Sequence, residues 1–246
     1  MGFGWARAAD APPAGHTYDG RMGGSVEVIE RVVGHSGELV LRRGPAGLEI
    51  VANGVFLVSS ANAASSRALV SAAWPYVGGD RLRVLIGGLG IGDALDEALA
   101  CPRVAQVTVA ELEPEIVRWF REHGGEWARR AAAAERGGLA RIEVADVADV
   151  LEGGAGRWDV VALDTDNGPD WLVREANAGL YSAAGLRRAG AAVRPGGAVV
   201  YWSPERAPAF EGLLRGVFPR VELVAAHDQV GAYRHEYTMY VAVTAA

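Results

Sequence analysis

A glycine-rich turn between an apolar run and a helix-like segment constrains this chain more than any other feature. The apolar run Arg83–Ile86 breaks into Gly87-Gly88-Leu89-Gly90-Ile91-Gly92, and a helix-like stretch follows at Asp93–Ala100. This pattern predicts a strand, a tight turn that lets backbone amides approach a ligand, and a helix N-terminus. A dinucleotide fingerprint requires glycine at the sixth position counted from Gly88, where Asp93 stands instead. The turn therefore predicts a nucleoside ligand other than NAD.

The composition agrees with one α/β domain and a small addition. The chain has 246 residues, 50% of them hydrophobic, and a net charge of −6. No apolar run is long enough to span a bilayer and no secretory signal begins the chain, so we expect a cytoplasmic protein without a membrane partner. The single Cys101 agrees with a reducing compartment. A net negative charge does not provide the basic surface that binds nucleic acid, so we expect no nucleic-acid partner. It favours a cationic ligand.

The order of predicted elements divides the chain into three parts. After residue 81, strand-like and helix-like segments alternate, which predicts parallel strands joined by right-handed crossovers. Before that, apolar runs surround Asn53-Gly54, a strong signature of a β-hairpin turn. We therefore expect a flexible N-terminal arm at residues 1–24, a β-hairpin region at 25–60 and a Rossmann-like domain at 61–246.

Acidic residues stand at the carboxyl ends of the predicted strands, the edge where open α/β sheets bind ligands. Glu111 ends the second strand of the domain, Asp146 follows the third and Asp164 the fourth. A carboxylate in the place of Glu111 is able to accept both hydroxyls of a ribose, and Asp146 is placed to accept from an adenine amino group. With the glycine turn, this order predicts S-adenosylmethionine or a related adenosyl compound as the ligand.

Two of these acids have a structural interpretation that the sequence leaves equally open. Glu111 is also placed to cap a helix that begins at Pro114, and Asp146 is also placed to cap a helix over residues 147–151.

Asp164 and Asp166 are the candidate catalytic residues. Two carboxylates separated by one residue repel each other, so one of them is expected to hold a proton more tightly than a free Asp. Such a group accepts a proton from an attacking amine or orients the lone pair of that amine. The segment Asp164–Pro169 also has the composition of a turn. It therefore stays open whether Asp166 takes part in catalysis and Asn167 contacts the substrate, or whether both only form the turn. Tyr181 follows this loop and is either a substrate contact or a packing residue.

The histidines are scattered without metal-ligand spacing, so we expect no metal site.

The chain resembles the spermidine synthase (aminopropyltransferase) family within the class I S-adenosylmethionine-fold superfamily. The similarity runs from about Gly37 to the last strand. It is carried by the N-terminal hairpins, Gly87-Gly88-Leu89-Gly90-Ile91-Gly92, Val109-Ala110-Glu111-Leu112-Glu113, Ala145-Asp146 with Val150-Leu151, and Trp158-Asp159-Val160-Val161-Ala162-Leu163-Asp164. The resemblance implies a mostly parallel seven-stranded sheet whose last strand is antiparallel. It also implies ribose binding by Glu111, adenine binding by Asp146, catalysis by Asp164, and a homodimer or tetramer.

Two regions depart from the pattern of the polyamine-forming members. Those proteins have an Asp within the glycine turn, where this chain has Gly90, and an acidic pair and a Tyr-His pair before the first helix. The corresponding segment, Leu57–Arg67, contains no acid, and Arg67 has the opposite charge. A diamine would lose its charge partners there. Arg67 is therefore a candidate contact for a different substrate, and the missing Asp favours intact S-adenosylmethionine as donor.

These features predict a spermidine synthase-like transferase that uses S-adenosylmethionine or its decarboxylated form. It would transfer an aminopropyl or 3-amino-3-carboxypropyl group to a small-molecule acceptor and release methylthioadenosine. A methyltransferase acting on a small molecule and a nucleoside-binding protein without turnover are the alternatives, because one fold serves all three.

Overall fold

The computed structural model describes residues 26–45, 47–60, 63–166, 168–170, 172, 174–230 and 233–246. The predicted arm at residues 1–24 lies outside them. The strands are β1 (Glu27–Gly34), β2 (Gly37–Gly44), β3 (Gly47–Ala52), β4 (Val55–Ser59), β5 (Leu82–Gly87), β6 (Val104–Glu111), β7 (Ala140–Val144), β8 (Trp158–Leu163), β9 (Val193–Ser203), β10 (Arg220–Val230) and β11 (Tyr233–Val243). The α-helices are α1 (Ala63–Ser71), α2 (Asp93–Ala100), α3 (Pro114–His123), α4 (Gly125–Arg136), α5 (Val147–Glu152), α6 (Ala178–Tyr181), α7 (Ala183–Ala192) and α8 (Pro208–Val217), and a short 3-10 helix at Glu175–Asn177 precedes α6.

The first four strands form an antiparallel sheet in the order β1-β2-β3-β4. The β3–β4 turn has φ of 49° at Asn53 and 78° at Gly54, the left-handed conformations that a tight hairpin turn requires. The Asn53 side chain also accepts a hydrogen bond from the backbone N–H of Glu38 at 2.9 Å. Local turn chemistry therefore explains why the predicted hairpins form.

The second sheet has seven strands in the order β10-β11-β9-β8-β5-β6-β7. The last strand in the chain, β11, pairs antiparallel with both β9 and β10, and the remaining pairs are parallel. The mostly parallel sheet with an antiparallel last strand was predicted. The sequence pattern predicts strands at Val221–Ala225 and Tyr237–Val243. The strands of the β10–β11 hairpin are longer, with 11 residues each.

Helices cover both faces of the seven-stranded sheet. Residues such as Val84, Val160 and Val200 face a core that includes α1, α2 and α4, whereas Leu85 and Val161 face a core that includes α5, α7 and α8. Both faces are buried, which is typical of strands in a parallel sheet. No helix in the described ranges combines the length and the apolar character needed to cross a membrane.

Side chains of the large sheet and its helices hold the N-terminal sheet in place. The buried carboxylate of Glu113 accepts the backbone N–H groups of His35 at 2.8 Å and Ser36 at 2.7 Å, both in the β1–β2 turn. On β1, Glu30 accepts from the guanidinium of Arg118 and from the indole of Trp119, each at 2.7 Å. These contacts connect the hairpin region to the start and the body of α3.

A distant acid caps helix α1. The buried carboxylate of Asp228 on β10 accepts the backbone N–H groups of Ala64 at 2.9 Å and Ser65 at 3.2 Å. The sequence pattern predicts a helical segment at Ala61–Tyr76. The helix instead ends at Ser71, and turns follow to residue 76. The long-range cap explains how a helix with no acidic residue in its own first turn begins at this point.

Replacing this cap should destabilise the fold. We expect Asp228→Ala to lower the free energy of unfolding by about 1 to 2 kcal/mol, because two N–H groups at the start of α1 lose their acceptor. Urea unfolding followed by circular dichroism measures the change. Asp80→Ala, which removes an exposed acid, is the control and should change stability by less than about 0.5 kcal/mol. Equal effects of the two substitutions would contradict the assigned cap.

Candidate active site at the carboxyl edge of the sheet

The glycine turn lies at the carboxyl ends of three adjacent strands. Gly87 is in register with Ala110 of β6 on one side and with Leu163 of β8 on the other. The N–H of Gly88 donates to the carbonyl of Ala110, and the N–H of Asp164 donates to the carbonyl of Gly87, both at 2.9 Å. Gly88 has φ of 97°, and a Cβ there would overlap the carbonyl oxygen of Asp164. Only glycine allows this close approach of the turn to β8.

Glu111 supports the turn from the neighbouring strand. Its side chain is buried, and it accepts the N–H of Leu89 at 2.7 Å and the N–H of Glu113 at 2.9 Å. Burial raises the pKa of Glu111, and the two backbone hydrogen bonds oppose that rise. The carboxylate thus holds the glycine turn and the N–H of Glu113, the residue before α3. Glu113 is the N-cap residue of that helix and has no side-chain cap hydrogen bond, so Glu111 supports the approach to α3 without capping it. Two carboxylate oxygens offer more lone pairs than two N–H groups occupy, so the ribose interpretation stays compatible with this geometry.

Asp146 is the N-cap of α5. One of its oxygens accepts the N–H of Ala148 at 2.9 Å, as the capping interpretation proposed. The other oxygen accepts from Nη1 of Arg174 at 2.9 Å. Sequence reasoning missed Arg174, because the residue stands 28 positions from its partner and no spacing rule connects the two. The predicted adenine acceptor is therefore one half of an ion pair.

Asp164 is half-buried directly after β8, beside other carboxylates. Burial, the nearby charge of Asp166 and that of Glu111 together raise the pKa of Asp164 to about 7. Asp166 is itself buried, and one of its oxygens accepts the N–H of Arg174 at 3.2 Å. A carboxyl group whose pKa lies near neutrality is suited to accept a proton during a reaction.

The structure brings four predicted site residues to one edge of the sheet, and we refer to Glu111, Asp146, Asp164 and Asp166 as the acid cluster. The edge they share also holds the glycine turn, because β5, β6, β7 and β8 are neighbours. Carboxylates concentrated in a partly buried site produce a negative potential that attracts a cation. The arrangement suits a ligand with a sulfonium or an ammonium group.

Tyr181 lies behind the acidic loop, with its ring buried against Tyr201 and Phe210. Its hydroxyl is 3.4 Å from the hydroxyl of Thr165. The ring thus packs in the core, and the hydroxyl contacts the loop that contains the candidate catalytic residues. The carbonyl of Thr165 also accepts a hydrogen bond from the side chain of Asn177, which sequence reasoning missed. Asn167, a candidate substrate contact, lies outside the described residues.

Arg67 is not placed in the acid cluster. Its guanidinium contacts the acids of α2, at 3.1 Å from Asp96, 3.8 Å from Asp93 and 3.6 Å from Glu97. Burial raises the pKa of Asp93 to about 6, and the charge of Arg67 opposes that rise. The positive charge of Arg67 is therefore balanced by acidic side chains of α2, the helix that follows the glycine turn.

Within the described part of the chain, no group of three or more His, Cys, Asp or Glu side chains is arranged to hold a metal ion.

Comparisons with known proteins agree with this architecture. No protein-family model matches the chain. The chain is 27% identical over 141 residues to polyamine aminopropyltransferase 2 of Hyperthermus butylicus, and the match covers 56% of this chain and 44% of that protein. The similarity thus extends over less than half the length of this curated relative.

Two solved spermidine synthases have the same fold. One, in complex with the transition state analogue AdoDATO, has a TM-score of 0.70 and 15% sequence identity, with 88% of this chain and 73% of that chain covered. The spermidine synthase of Thermotoga maritima has a TM-score of 0.67 and 14% identity, with 88% and 72% covered. The predicted Rossmann-like fold and the predicted resemblance are confirmed. The chain is therefore similar to spermidine synthases in its fold, and over part of its length in its sequence.

The raised pKa of Asp164 predicts a pH-dependent contribution to stability. In the unfolded chain an Asp titrates near about pH 4, so the folded protein holds this proton more tightly. The contribution is complete below about pH 4 and is lost as the pH rises to about 7. We therefore expect Asp164→Asn, which stays neutral, to gain stability relative to the unaltered protein as the pH rises from about 4 to about 7, by at most about 1.4 kcal/mol for each pH unit, and to gain no more above that range.

Urea unfolding at several pH values checks this expectation. Asp149→Asn, which neutralises an exposed acid on α5, should show no such trend. A stability difference between the Asp164→Asn variant and the unaltered protein that stays constant with pH would refute the assignment.

Proposed function

We propose that this chain is a transferase that uses S-adenosylmethionine or its decarboxylated form. It moves an aminopropyl or a 3-amino-3-carboxypropyl group to a small nucleophile and releases methylthioadenosine. The observation that carries the proposal is the acid cluster beside the glycine turn, with a near-neutral pKa at Asp164. The similarity to a polyamine aminopropyltransferase and to a spermidine synthase bound to AdoDATO supports it.

Each part of the donor has a proposed partner. Glu111 accepts from the ribose hydroxyls, Asp146 accepts from the adenine amino group, and the backbone of the glycine turn lies against the nucleoside. The sulfonium carries a positive charge, which the acid cluster stabilises. Asp166 and Tyr181 act on the loop that contains Asp164, one through its charge and the other through packing and its contact with Thr165.

The reaction is a displacement at the carbon attached to sulfur. A neutral amine attacks this carbon with its lone pair, the carbon–sulfur bond breaks, and its electron pair stays on sulfur in neutral methylthioadenosine. Asp164 accepts the proton that the acceptor amine loses before or during the attack, and its pKa of about 7 matches that task. Alignment of nucleophile, carbon and sulfur contributes most of the rate.

Identification of the released nucleoside tests the reaction. The protein is incubated with S-adenosylmethionine or its decarboxylated form and a pool of amines, and the products are separated by chromatography and mass spectrometry. We expect methylthioadenosine from at least one donor. Asp164→Asn should lower the rate by about 100-fold or more because proton acceptance is lost, whereas Asp149→Asn should retain it.

The other outcomes select the other functions. Adenosylhomocysteine as product would identify a methyltransferase, and binding without product would identify a nucleoside-binding protein without turnover. An Asp164→Asn variant with full activity would remove Asp164 from the mechanism.

We further propose that intact S-adenosylmethionine is the preferred donor. Gly90 contributes no charge to the turn, and a Cβ built there would meet Val58 of β4 at 3.6 Å, an ordinary contact distance. A carboxylate at this position would repel the carboxylate of the intact donor. The decarboxylated form has no carboxylate and would not suffer this repulsion.

A matched pair of substitutions at Gly90 isolates the charge. Gly90 has φ of 53°, a conformation that Asp and Asn adopt more readily than other side chains, so both variants bear a similar strain. We expect Gly90→Asp to weaken binding of intact S-adenosylmethionine by about tenfold relative to Gly90→Asn, with a smaller difference for the decarboxylated form. Calorimetry measures these affinities. Tighter binding of the decarboxylated form by the unaltered protein would contradict the donor preference.

A further inference from the structure

Arg174 brings a positive charge to the acid cluster. Its Nη1 donates to Asp146 at 2.9 Å and lies 3.4 Å from the side-chain oxygen of Asn177. Its backbone N–H donates to Asp166, and its carbonyl accepts the N–H of Asn177 at 3.0 Å. The residue is therefore held at its backbone and at its guanidinium, and it connects the proposed adenine acceptor to the loop after β8.

The guanidinium keeps hydrogen-bonding capacity beyond these contacts. A guanidinium has five N–H donors in one plane, and both side-chain contacts of Arg174 use Nη1. Within the described ranges, its Nε and Nη2 have no acceptor, and about a third of the side chain is exposed, 31%. Three N–H groups next to Asp146 are thus available to a molecule that binds there.

An acceptor beside a donor matches the edge of an adenine. The 6-amino group of adenine donates hydrogen bonds, and the ring nitrogens on either side of it accept them. Asp146 supplies an acceptor for the amino group, and Arg174 supplies donors for a neighbouring ring nitrogen. A planar guanidinium is well suited to such an edge because its N–H directions are fixed.

We propose that Arg174 is a specificity-determining residue that donates a hydrogen bond to the adenine ring nitrogen beside the amino group held by Asp146. The assignment rests on the proposed function, because it takes the ligand to be an adenine nucleoside. It goes beyond that function by naming a second side chain that recognises the base and by explaining the Asp146–Arg174 pair as part of the binding site.

A binding cycle with altered bases tests the hydrogen bond. Calorimetry compares methylthioadenosine with its 7-deaza and 1-deaza analogues, each lacking one ring nitrogen next to the amino group. We expect the unaltered protein to bind one of the two analogues about tenfold more weakly than methylthioadenosine. We expect Arg174→Ala to weaken binding of methylthioadenosine by a similar factor and to bind that analogue without further loss.

Two additional variants separate recognition from folding. Arg188→Ala removes an arginine whose ion pair with Glu152 is on the surface of α7 and α5, and it should retain the affinity and the analogue penalty. Arg174→Gln keeps an N–H donor without the charge and should retain part of the penalty. Circular dichroism and thermal unfolding establish that each variant is folded.

Several results would overturn the assignment. Unchanged or tighter binding by Arg174→Ala would mean that the guanidinium is only an internal partner or a competitor for Asp146. Equal affinity of the unaltered protein for methylthioadenosine and both analogues would exclude the hydrogen bond without the use of any variant. Failure of the unaltered protein to bind methylthioadenosine would overturn the proposed function as well, so the two failures are distinguishable.

Discussion

The rest of the site depends on the hydrogen bonds that the carboxylate of Glu111 accepts from two backbone N–H groups. This carboxylate is buried at the end of β6 and holds two backbone N–H groups, one in the glycine turn and one at the start of α3. The second of these belongs to Glu113, whose own carboxylate holds the β1–β2 turn of the N-terminal sheet. A buried carboxylate without such donors would be strongly disfavoured, so the turn and the acid require each other. Glu111 and Glu113, two residues apart, thus connect the hairpin region, α3 and the edge of the sheet that holds the glycine turn.

The same edge concentrates negative charge that does not by itself favour folding. Burial and mutual repulsion raise the pKa of Asp164, and burial raises that of Glu111. The fold tolerates this arrangement because backbone N–H groups and Arg174 satisfy several of the oxygens. Such a site stabilises a cation that enters it. Carboxylates with a pKa raised in this way are typical of binding and active sites.

Periodicity and turn chemistry explain why much of the site was predictable. Strands of a parallel sheet end at a common edge. Residues that follow neighbouring strands can therefore be predicted to lie near one another before the tertiary structure is known. That rule placed Glu111, Asp146 and Asp164 correctly at one edge. The capping interpretation of Asp146 also describes a contact in the structure, because a carboxylate has enough lone pairs to serve a helix and a ligand.

Contacts between residues far apart in the chain were beyond that reasoning. Arg174 pairs with Asp146 across 28 positions, and Asp228 caps α1 across 164. The segment Leu57–Arg67 contains no acid, and Asp228 on β10 provides the carboxylate that caps α1. Arg67, a candidate substrate contact, pairs with acids of α2 that the sequence analysis did not connect with it. Side-chain partners of this kind depend on how helices pack on the sheet, which spacing along the chain does not encode.

The sequence by itself determined the elements, the glycine turn and the carboxyl edge at which the acids gather, because those features follow from local periodicity and from the direction of the strands. Only the tertiary structure decided how the charges of that edge are balanced, since ion pairs and caps form between side chains that packing brings together. The positions of the acids therefore follow from where the strands end in the sequence. Their hydrogen-bond partners and their pKa values depend on the packed fold.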